Sequence, residues 1–265
     1  MTKMAFFRFY GELNDFLPPG QRQKTFPHTF GGNPAVKDMV ESLGIPHTEI
    51  DLLLINGISV DFSRQVREGD RISVYPVFES IDISPLLKVR PEPLRVARFV
   101  LDTHLGKLAS YLRMLGFDTL YQNDYTDDTL AHISAQEHRL LLTRDRGLLK
   151  RRQVTHGYYV RNTDPNAQVV EVLQRFDLFS SIKPFQRCLH CNKTLRPVEK
   201  QVIEDRLPPK VREHYDRFHT CDDCRRIYWE GTHYEKMNEF INNIRREENP
   251  LEGKKRPFNQ PAGNG

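Results

Sequence analysis

The sequence predicts an α/β protein built from three modules in series, and three observations support this. The chain has 265 residues, more than one average domain, and its 38% hydrophobic and 28% charged residues are typical of globular proteins. Between residues 96 and 176, short apolar runs alternate with helical apolar faces, a pattern that indicates a parallel sheet covered by helices. All four cysteines lie between Cys188 and Cys224, which marks a separate module near the end of the chain.

Prolines and shifts in composition set the module boundaries. Pro85, Pro91 and Pro93 disfavour regular structure and indicate a linker between the first two modules. The stretch from residue 247 lacks a periodic apolar face, so we expect a disordered tail there. The predicted units are the first module at 1–81, the linker at 82–94, the α/β module at 95–182, the cysteine module at 183–246 and the tail at 247–265.

Charge and hydrophobicity exclude some classes of protein. No apolar stretch approaches the ~18 residues of a membrane span, so we expect a cytoplasmic protein with no membrane partner. Four clustered cysteines in so long a chain do not form the framework of a secreted disulfide-rich protein. The net charge of +4, from 39 basic and 35 acidic residues, permits a nucleic-acid partner without requiring one.

The first module has the element order of a small domain with a mixed sheet. We predict strands at Phe6–Tyr10, Leu52–Ile55 and Arg71–Tyr75. We predict a helix at Val36–Leu43 and a hairpin turn at Asn56–Gly57. This layout resembles the ubiquitin-like β-grasp fold of the small sulfur-carrier proteins. Those carriers end in Gly-Gly, whereas this chain continues, so we expect a docking or substrate-positioning module with a possible protein partner, dispensable for chemistry elsewhere.

The middle module follows a pattern of repeated strand–helix units. Its first helix has apolar residues at i, i+3, i+4, i+7 and i+10 from Leu105, which form one packing face, and Gly116 ends it. The predicted strands are Phe99–Leu101, Thr119–Tyr121, Leu140–Thr143 and Tyr158–Val160, and the predicted helices span residues 105–115, 127–137, 147–152 and 168–176.

An aspartate follows each predicted strand of this module. In an open α/β sheet, ligands bind beyond the carboxyl ends of the strands, so these side chains should converge on one site. Crowded carboxylates repel one another and raise each other's pKa, and a hard divalent cation offsets that repulsion. The sequence therefore predicts a Mg²⁺ or Mn²⁺ site. The aspartates are Asp102 after the first strand, Asp124, Asp127 and Asp128 after the second, Asp145 after the third and Asp164 after the fourth.

Helix N-capping is the alternative interpretation of each aspartate. For Asp127 and Asp128 the two interpretations are evenly balanced, and for Asp164, which precedes Pro165, capping is favoured. Basic residues surround Asp145 and predict a phosphate-bearing substrate, with a solvated helix face as the alternative. The basic residues are Arg144, Arg146, Lys150, Arg151 and Arg152.

The cysteines form two C-x2-C pairs. Cys188 and Cys191 form the first pair, and 29 residues separate it from the second pair, Cys221 and Cys224. The four thiolates would complete the tetrahedral shell of a structural Zn²⁺, so we predict a zinc ribbon, with disulfides or a redox pair as alternatives. The stretch 225–229 adds arginine and aromatic side chains that suit stacking with single-stranded RNA, or a small hydrophobic core.

Seven runs of residues carry a family resemblance: Leu101–Asp102, Leu105–Ala109, Tyr111–Asp118, Leu141–Arg146, Arg187–Asn192, Leu207–Val211 and Tyr228–His233. They resemble the Mut7-C ribonuclease family, a branch of the PIN-like nucleases, over residues 98–237. The resemblance implies a PIN-like fold of three layers, with a parallel sheet between helices. It also implies three or four acids around one or two divalent ions. Asp102 and Asp145 match the first-strand acid and the Thr-x-Asp acid.

The function that this resemblance implies is that of a metal-dependent endoribonuclease acting on RNA, single-stranded or structured. Its second acid lies among Asp124, Asp127 and Asp128, where PIN domains often carry a glutamate that this sequence lacks. The alternative is a noncatalytic RNA-binding or ribosome-associated adaptor. A degenerate family member would lose Asp102 or Asp145, and because this chain keeps both, the enzyme is favoured.

Overall fold

The structure is a computed structural model that describes residues 2–76, 88–89 and 97–247. The predicted linker at 82–94, apart from residues 88–89, lies outside the described residues, and so does the predicted tail beyond residue 247. Within the described ranges, no helix is both long enough and apolar enough to span a bilayer.

The first module is a mixed five-stranded sheet with one α-helix. Its elements are β1 (Lys3–Phe9), β2 (Phe26–Phe30), α1 (Val36–Ser42), β3 (Leu52–Ile55), β4 (Ile58–Ser59) and β5 (Arg71–Tyr75). The strand order is β2-β1-β5-β3-β4, in which β1 and β5 are parallel and the other pairs antiparallel. Asn56 and Gly57 have φ of 53° and 82°, the left-handed values that a tight hairpin requires. This is the predicted β-grasp arrangement.

Four parallel strands form the sheet of the second module. They are β6 (Arg98–Leu101), β7 (Asp118–Leu120), β8 (Leu140–Thr143) and β9 (Gly157–Tyr159), and the helices are α2 (Gly106–Met114), α3 (Asp127–Glu137), α4 (Arg146–Leu149) and α5 (Pro165–Arg175). The strand order is β7-β6-β8-β9. Strand β8 and helix α3 have the predicted bounds. Helix α4 ends earlier than predicted, with its C-cap at Lys150.

Helices cover both faces of this sheet, as the predicted three-layer fold requires. Phe99 and Leu101 of β6 are buried in the core formed with α2 and α5, whereas Val100 is buried with residues of α3 and α4. The alternation follows the two-residue period of a strand. Because the strand is covered on both faces, its sequence must be apolar throughout, which explains the apolar runs.

The strand order creates a crevice at the carboxyl ends of β6 and β8. Strand β7 follows β6 in the chain and lies on one side of it, whereas β8 lies on the other side. The connections from β6 and β8 therefore diverge. This is the topological switch point at which open α/β sheets bind their ligands.

The cysteine module combines a three-stranded antiparallel sheet with three helices. The elements are β10 (Arg196–Val198), α6 (Lys200–Ile203), α7 (Pro209–His214), β11 (Phe218–Thr220), β12 (Ile227–Trp229) and α8 (Thr232–Glu247). Helix α8 is not among the elements predicted from the sequence. It returns to the second module, where Ile241 and Ile244 are buried in the core and the Phe240 ring lies 4.6 Å from that of Tyr111.

The cysteine module is fixed to the second module along β7, an edge strand. The Thr119 N–H donates to Asn192 Oδ1 (2.9 Å), and Asn192 Nδ2 donates to Asp118 Oδ1 (2.7 Å). The buried guanidinium of Arg113 donates to the carbonyls of residues 189–190 at 3.0 and 2.8 Å. Asn192 thus supplies the hydrogen-bond acceptor that a further strand would offer.

Gly116 allows two segments near this junction to approach closely. Its φ of +99° lies in the left-handed region, and a Cβ there would stand 2.1 Å from the carbonyl oxygen of Lys183. The Lys183 N–H donates to the Leu115 carbonyl at 2.9 Å. A side chain at position 116 would force these segments apart, so glycine is required where the sequence predicts the end of the helix.

The first module packs against β9, the opposite edge of the sheet. Glu49 is fully buried, and its carboxylate accepts from the Tyr159 N–H (2.6 Å) and from Arg161 Nη2 (2.9 Å). His47 Nε2 lies 2.9 Å from the carbonyl oxygen of Val154. The sequence does not predict this packing, because Glu49 and Tyr159 are 110 residues apart in the chain.

We predict that Glu49→Gln lowers the free energy of unfolding by about 2 kcal/mol, because it removes the charge that pairs with the poorly exposed Arg161. Asp15→Asn is the matched control, since Asp15 also pairs with Arg161 but is 59% exposed, and should cost less than ~1 kcal/mol. Urea denaturation measures both changes. If both variants lose the same small amount of free energy of unfolding, the buried pair does not stabilise the contact between the two modules.

Candidate active site

Asp102 and Asp145 meet at the switch point through the hydroxyl of Thr143. Thr143 is fully buried at the end of β8. Its Oγ1 donates to Asp102 Oδ2 at 2.6 Å and accepts the Asp145 N–H at 2.9 Å. The two acids therefore lie at neighbouring strand ends, linked by one side chain. The Thr-x-Asp spacing of Thr143 and Asp145 is the sequence signal for this link.

Asp102 is held rigidly at the end of β6. Its side chain is buried, and Oδ1 accepts from the Thr103 N–H at 2.6 Å and from Thr103 Oγ1 at 3.2 Å. With Thr143 on Oδ2, both oxygens have hydrogen-bond donors that fix the plane of the carboxylate. Such a preorganised acid is suited to hold an ion or a water molecule in a defined position.

Asp145 combines an exposed carboxylate with a helix N-cap. Its Oδ1 accepts from the N–H groups of Gly147 and Leu148, at 2.6 and 3.4 Å, at the start of α4. A carboxylate has two oxygens, so the cap at Oδ1 is compatible with ligand binding at Oδ2. N-capping by Asp145 therefore does not exclude the predicted functional role of its carboxylate.

The structure does not bring a third acid into one group with these two. Asp127 and Asp128 both pair with Arg151, and Asp124 is exposed in the segment after β7. Thr126, rather than either aspartate, is the N-cap of α3. In the part of the chain that the structure describes, no carboxylates form a group of three close enough to share a metal ion.

Asp164 is an N-cap, as predicted. Its Oδ2 accepts from the Ala167 N–H at 2.9 Å, and Pro165 occupies the first helical position of α5. This geometry accounts for the aspartate after the fourth strand without any further role.

The predicted substrate-binding residues fall into two groups. Arg144 Nη1 lies within 2.8 Å of three carbonyl oxygens of residues 160–162, and Lys150 donates to the Glu41 carbonyl. Arg151 pairs with acids of α3, so each of these three cations has a partner within the protein. Arg146 and Arg152 are exposed.

Arg146 is contacted by the first module. Its guanidinium carbon lies 4.8 Å from the centroid of the Phe16 ring and 5.5 Å from that of Tyr159. The guanidinium carbon of Arg161 lies 5.4 Å from the same Phe16 ring. Cation–π attraction thus orients a basic residue next to Asp145. The expectation that the first module is dispensable for chemistry stays a prediction.

The four cysteines form a compact cluster of free thiols. The Sγ atoms lie within 4.8 Å of one another, with the shortest separations at 3.3 and 3.5 Å. A disulfide would need about 2.05 Å. In a tetrahedral shell with Zn–S bonds of about 2.3 Å, the sulfurs stand roughly 3.8 Å apart, so the cluster could hold one zinc ion. The cluster consists of Cys188, Cys191, Cys221 and Cys224.

Two of these thiols differ in acidity. Burial opposes ionisation of Cys188, but hydrogen bonds from the Tyr228 hydroxyl and from the N–H groups of Cys191 and His190 lower its pKa to about 7. Burial raises the pKa of the Cys191 thiol to about 12. Hydrogen bonds of the kind that Cys188 receives favour the thiolate, the form in which a cysteine binds metal.

Comparison with family models gives two matches. Residues 97–241 match the Mut7-C RNAse domain, and residues 2–82 match the Mut7-C ubiquitin domain. The first match includes Asp102, Asp145 and all four cysteines, and it confirms the resemblance seen in the motifs. No curated protein and no solved structure matches the chain.

We predict that Thr143→Val destabilises the protein more than Thr143→Ser does. Valine deprives Asp102 Oδ2 and the Asp145 N–H of their shared partner, which should lower the free energy of unfolding by about 2 kcal/mol. Serine keeps the hydroxyl and removes one buried methyl group, at about 1 kcal/mol. Urea denaturation compares the variants. A larger loss for serine would mean that packing, rather than the hydroxyl bridge, is what matters.

Proposed function

We propose that this chain, which belongs to the Mut7-C RNAse domain family, is a metal-dependent endoribonuclease that hydrolyses RNA phosphodiester bonds at the carboxyl ends of β6 and β8. The observation that carries the proposal is the Thr143 bridge between Asp102 and Asp145. It links the Asp102 carboxylate to the backbone N–H of Asp145, at the position where this kind of sheet binds ligands.

The donor set fits Mg²⁺ or Mn²⁺. Mg²⁺ is commonly held by one or two carboxylates together with substrate phosphate and water, so Asp102 and Asp145 suffice as protein ligands. Asp124, Asp127 and Asp128 are the proposed sources of a further acid. When bound, the ion would lower the pKa of a water molecule and offset charge on the phosphate oxygens.

The side chains around the two acids have separate proposed roles. The buried Asp102 is held by Thr103 and Thr143, and it would keep its orientation while substrate binds. The exposed Asp145 would hold the ion through Oδ2, because its Oδ1 caps α4. Arg146 and Arg152 would contact the phosphates beside the scissile bond, since both are exposed cations.

The remaining basic residues are proposed to shape the site indirectly. Arg144 secures the end of β9 through the carbonyls of residues 160–162, and Lys150 joins α4 to the first module. Arg151 orients the start of α3 through its ion pairs. The first module would then position Arg146 through Phe16 and offer its own outer surface to a protein partner.

The cysteine module is proposed to be a zinc ribbon. Four thiolates would fill the coordination shell of Zn²⁺, so the ion would stabilise the fold and leave no position for substrate. Because free cysteine clusters persist in reducing compartments, we propose that the protein acts in the cytoplasm.

We predict about one zinc ion per chain in protein purified under reducing conditions. Cys191→Ser should lower the zinc content and expose the cysteine module to proteolysis, because a hydroxyl replaces a thiolate ligand. His190→Ala, in the same turn, is the control and should keep its zinc. Elemental analysis measures the content; wild-type protein without zinc and with paired disulfides would rule out the ribbon.

We predict that Asp145→Asn lowers the rate of divalent-dependent RNA cleavage by at least about a hundredfold, because it removes a metal-ligating charge. Asparagine caps helices as well as aspartate, so the start of α4 should be preserved and RNA affinity should change little. Asp164→Asn is the matched control, since it makes the same change at the N-cap of α5 and should leave the rate unaltered.

A cleavage assay with labelled RNA, at saturating Mg²⁺ or Mn²⁺, measures these rates. Asp102→Asn should behave as Asp145→Asn does. If both variants are folded and cleave RNA at the wild-type rate, the active site lies elsewhere and the noncatalytic adaptor becomes the better interpretation.

A further inference from the structure

We infer that single-stranded RNA crosses the first cysteine pair, with one unstacked base in each of two cavities that share Leu189 in their walls. This inference rests on the proposed function, because it assigns the path that leads substrate to the two acids. The path concerns how the RNA is recognised, whereas the proposed function concerns how it is hydrolysed.

The first cavity has a volume of about 490 Å³ and lies between α2, the segment after β7 and the first cysteine pair. Its lining includes three residues with aromatic rings, Tyr121, Tyr125 and His190, and two with side-chain amides, Gln122 and Asn123. Rings can stack on a base, and amides can bond its edge. The cavity thus offers both kinds of contact that a single unpaired base requires.

This cavity adjoins the candidate active site. The Tyr121 hydroxyl donates to the Thr103 carbonyl at 2.9 Å, and Thr103 is hydrogen-bonded to Asp102. A Cβ at Gly106 would stand 2.5 Å from the Tyr121 oxygen, so the glycine makes room for the tyrosine. A base in the cavity would therefore belong to a nucleotide close to the scissile phosphate.

The second cavity has a volume of about 630 Å³ and lies between the cysteine module's sheet, α7 and α8. Its lining includes Lys210 and five residues with aromatic rings: His214, Tyr215, Tyr228, Trp229 and Tyr234. The Tyr228 hydroxyl is 3.0 Å from Cys188 Sγ, and Trp229 packs against the small core of the module. Trp229 thus belongs to the core alternative raised by the sequence, and both Tyr228 and Trp229 line the cavity where the inference places a base.

Charge favours RNA as the common occupant. The second cavity includes the exposed Lys210, whereas Arg113 at the first cavity is buried and donates to the backbone carbonyls of residues 189–190. Among the described residues that line the two cavities, there is no carboxylate. Aromatic residues with an exposed lysine and no acids suit a strand that alternates phosphates with flat bases.

The shared residue Leu189 makes the two cavities consecutive along one path. It follows Cys188, and its carbonyl accepts from Arg113, which fixes the turn between the cavities. Bases in a duplex are paired and stacked, so only a single strand could place successive bases in separate cavities. The proposed occupant of the two cavities is therefore single-stranded RNA.

Trp229 provides a direct test, because it is the only tryptophan in the chain. The full chain carrying Asp145→Asn would be titrated with a short single-stranded RNA of mixed sequence and with the same RNA as a duplex. Tryptophan emission would be recorded alongside the anisotropy of a labelled RNA. We expect the single strand to quench Trp229 emission in proportion to binding and the duplex to leave it unchanged.

Two variants test the cavities separately. Tyr125→Ala in the first cavity should weaken binding of the single strand roughly five- to hundredfold, the scale of one lost base stack. Lys210→Ala at the second should weaken it and reduce the salt dependence of log K by about one unit. Tyr10→Ala and Lys24→Ala, in the first module and away from both cavities, are the matched controls and should bind as the unvaried protein does.

The outcomes separate this inference from the proposed function. Unchanged Trp229 emission while anisotropy shows RNA bound, or no RNA binding at all, would overturn the path and leave the cavities to another kind of ligand. Quenching by the single strand would support the path even if wild-type protein cleaved no RNA, in which case only the proposed hydrolysis would fail. The fluorescence result needs no substitution in either cavity, so misfolded variants cannot obscure it.

Discussion

The hydroxyl of Thr143 is the contact on which the candidate site depends. It donates to Asp102 and accepts the Asp145 N–H, so it links the ends of β6 and β8. The contact is possible because the strand order puts β6 beside β8 and displaces β7 to the outer edge. The same order that gives the sheet two buried central strands therefore also places Asp102 and Asp145 at adjacent strand ends beside the crevice.

Side chains from the neighbouring modules close both edges of this sheet. Asn192 Oδ1 accepts the Thr119 N–H on β7, and Glu49 Oε1 accepts the Tyr159 N–H on β9. Each takes the place of a carbonyl from a further strand. The three modules are consequently joined on opposite sides of the two acids, with Arg146 held on the side of the first module. The proposed recognition and chemistry would then draw on all three modules.

The features of the fold and site that could be predicted from the sequence are those that leave a local pattern of apolar and polar residues. Strand β8 and helix α3 have the predicted bounds, because buried strands are continuous apolar runs and helix starts carry polar caps. The family resemblance is confirmed as well. The pairing of Asp127 and Asp128 with Arg151, the burial of Glu49 and the return of α8 were beyond such reasoning, because they depend on partners distant in the chain.

Iron-directed cleavage of the polypeptide tests the central claim most directly. Fe²⁺ in place of Mg²⁺ reduces added hydrogen peroxide to hydroxide and a hydroxyl radical, which cuts the backbone beside the ion. The account predicts cuts near residues 102 and 145, where the Thr143 bridge joins the two acids, and their loss in the Asp102→Asn protein. Cuts confined to the cysteine module, or an unchanged pattern in that variant, would contradict it.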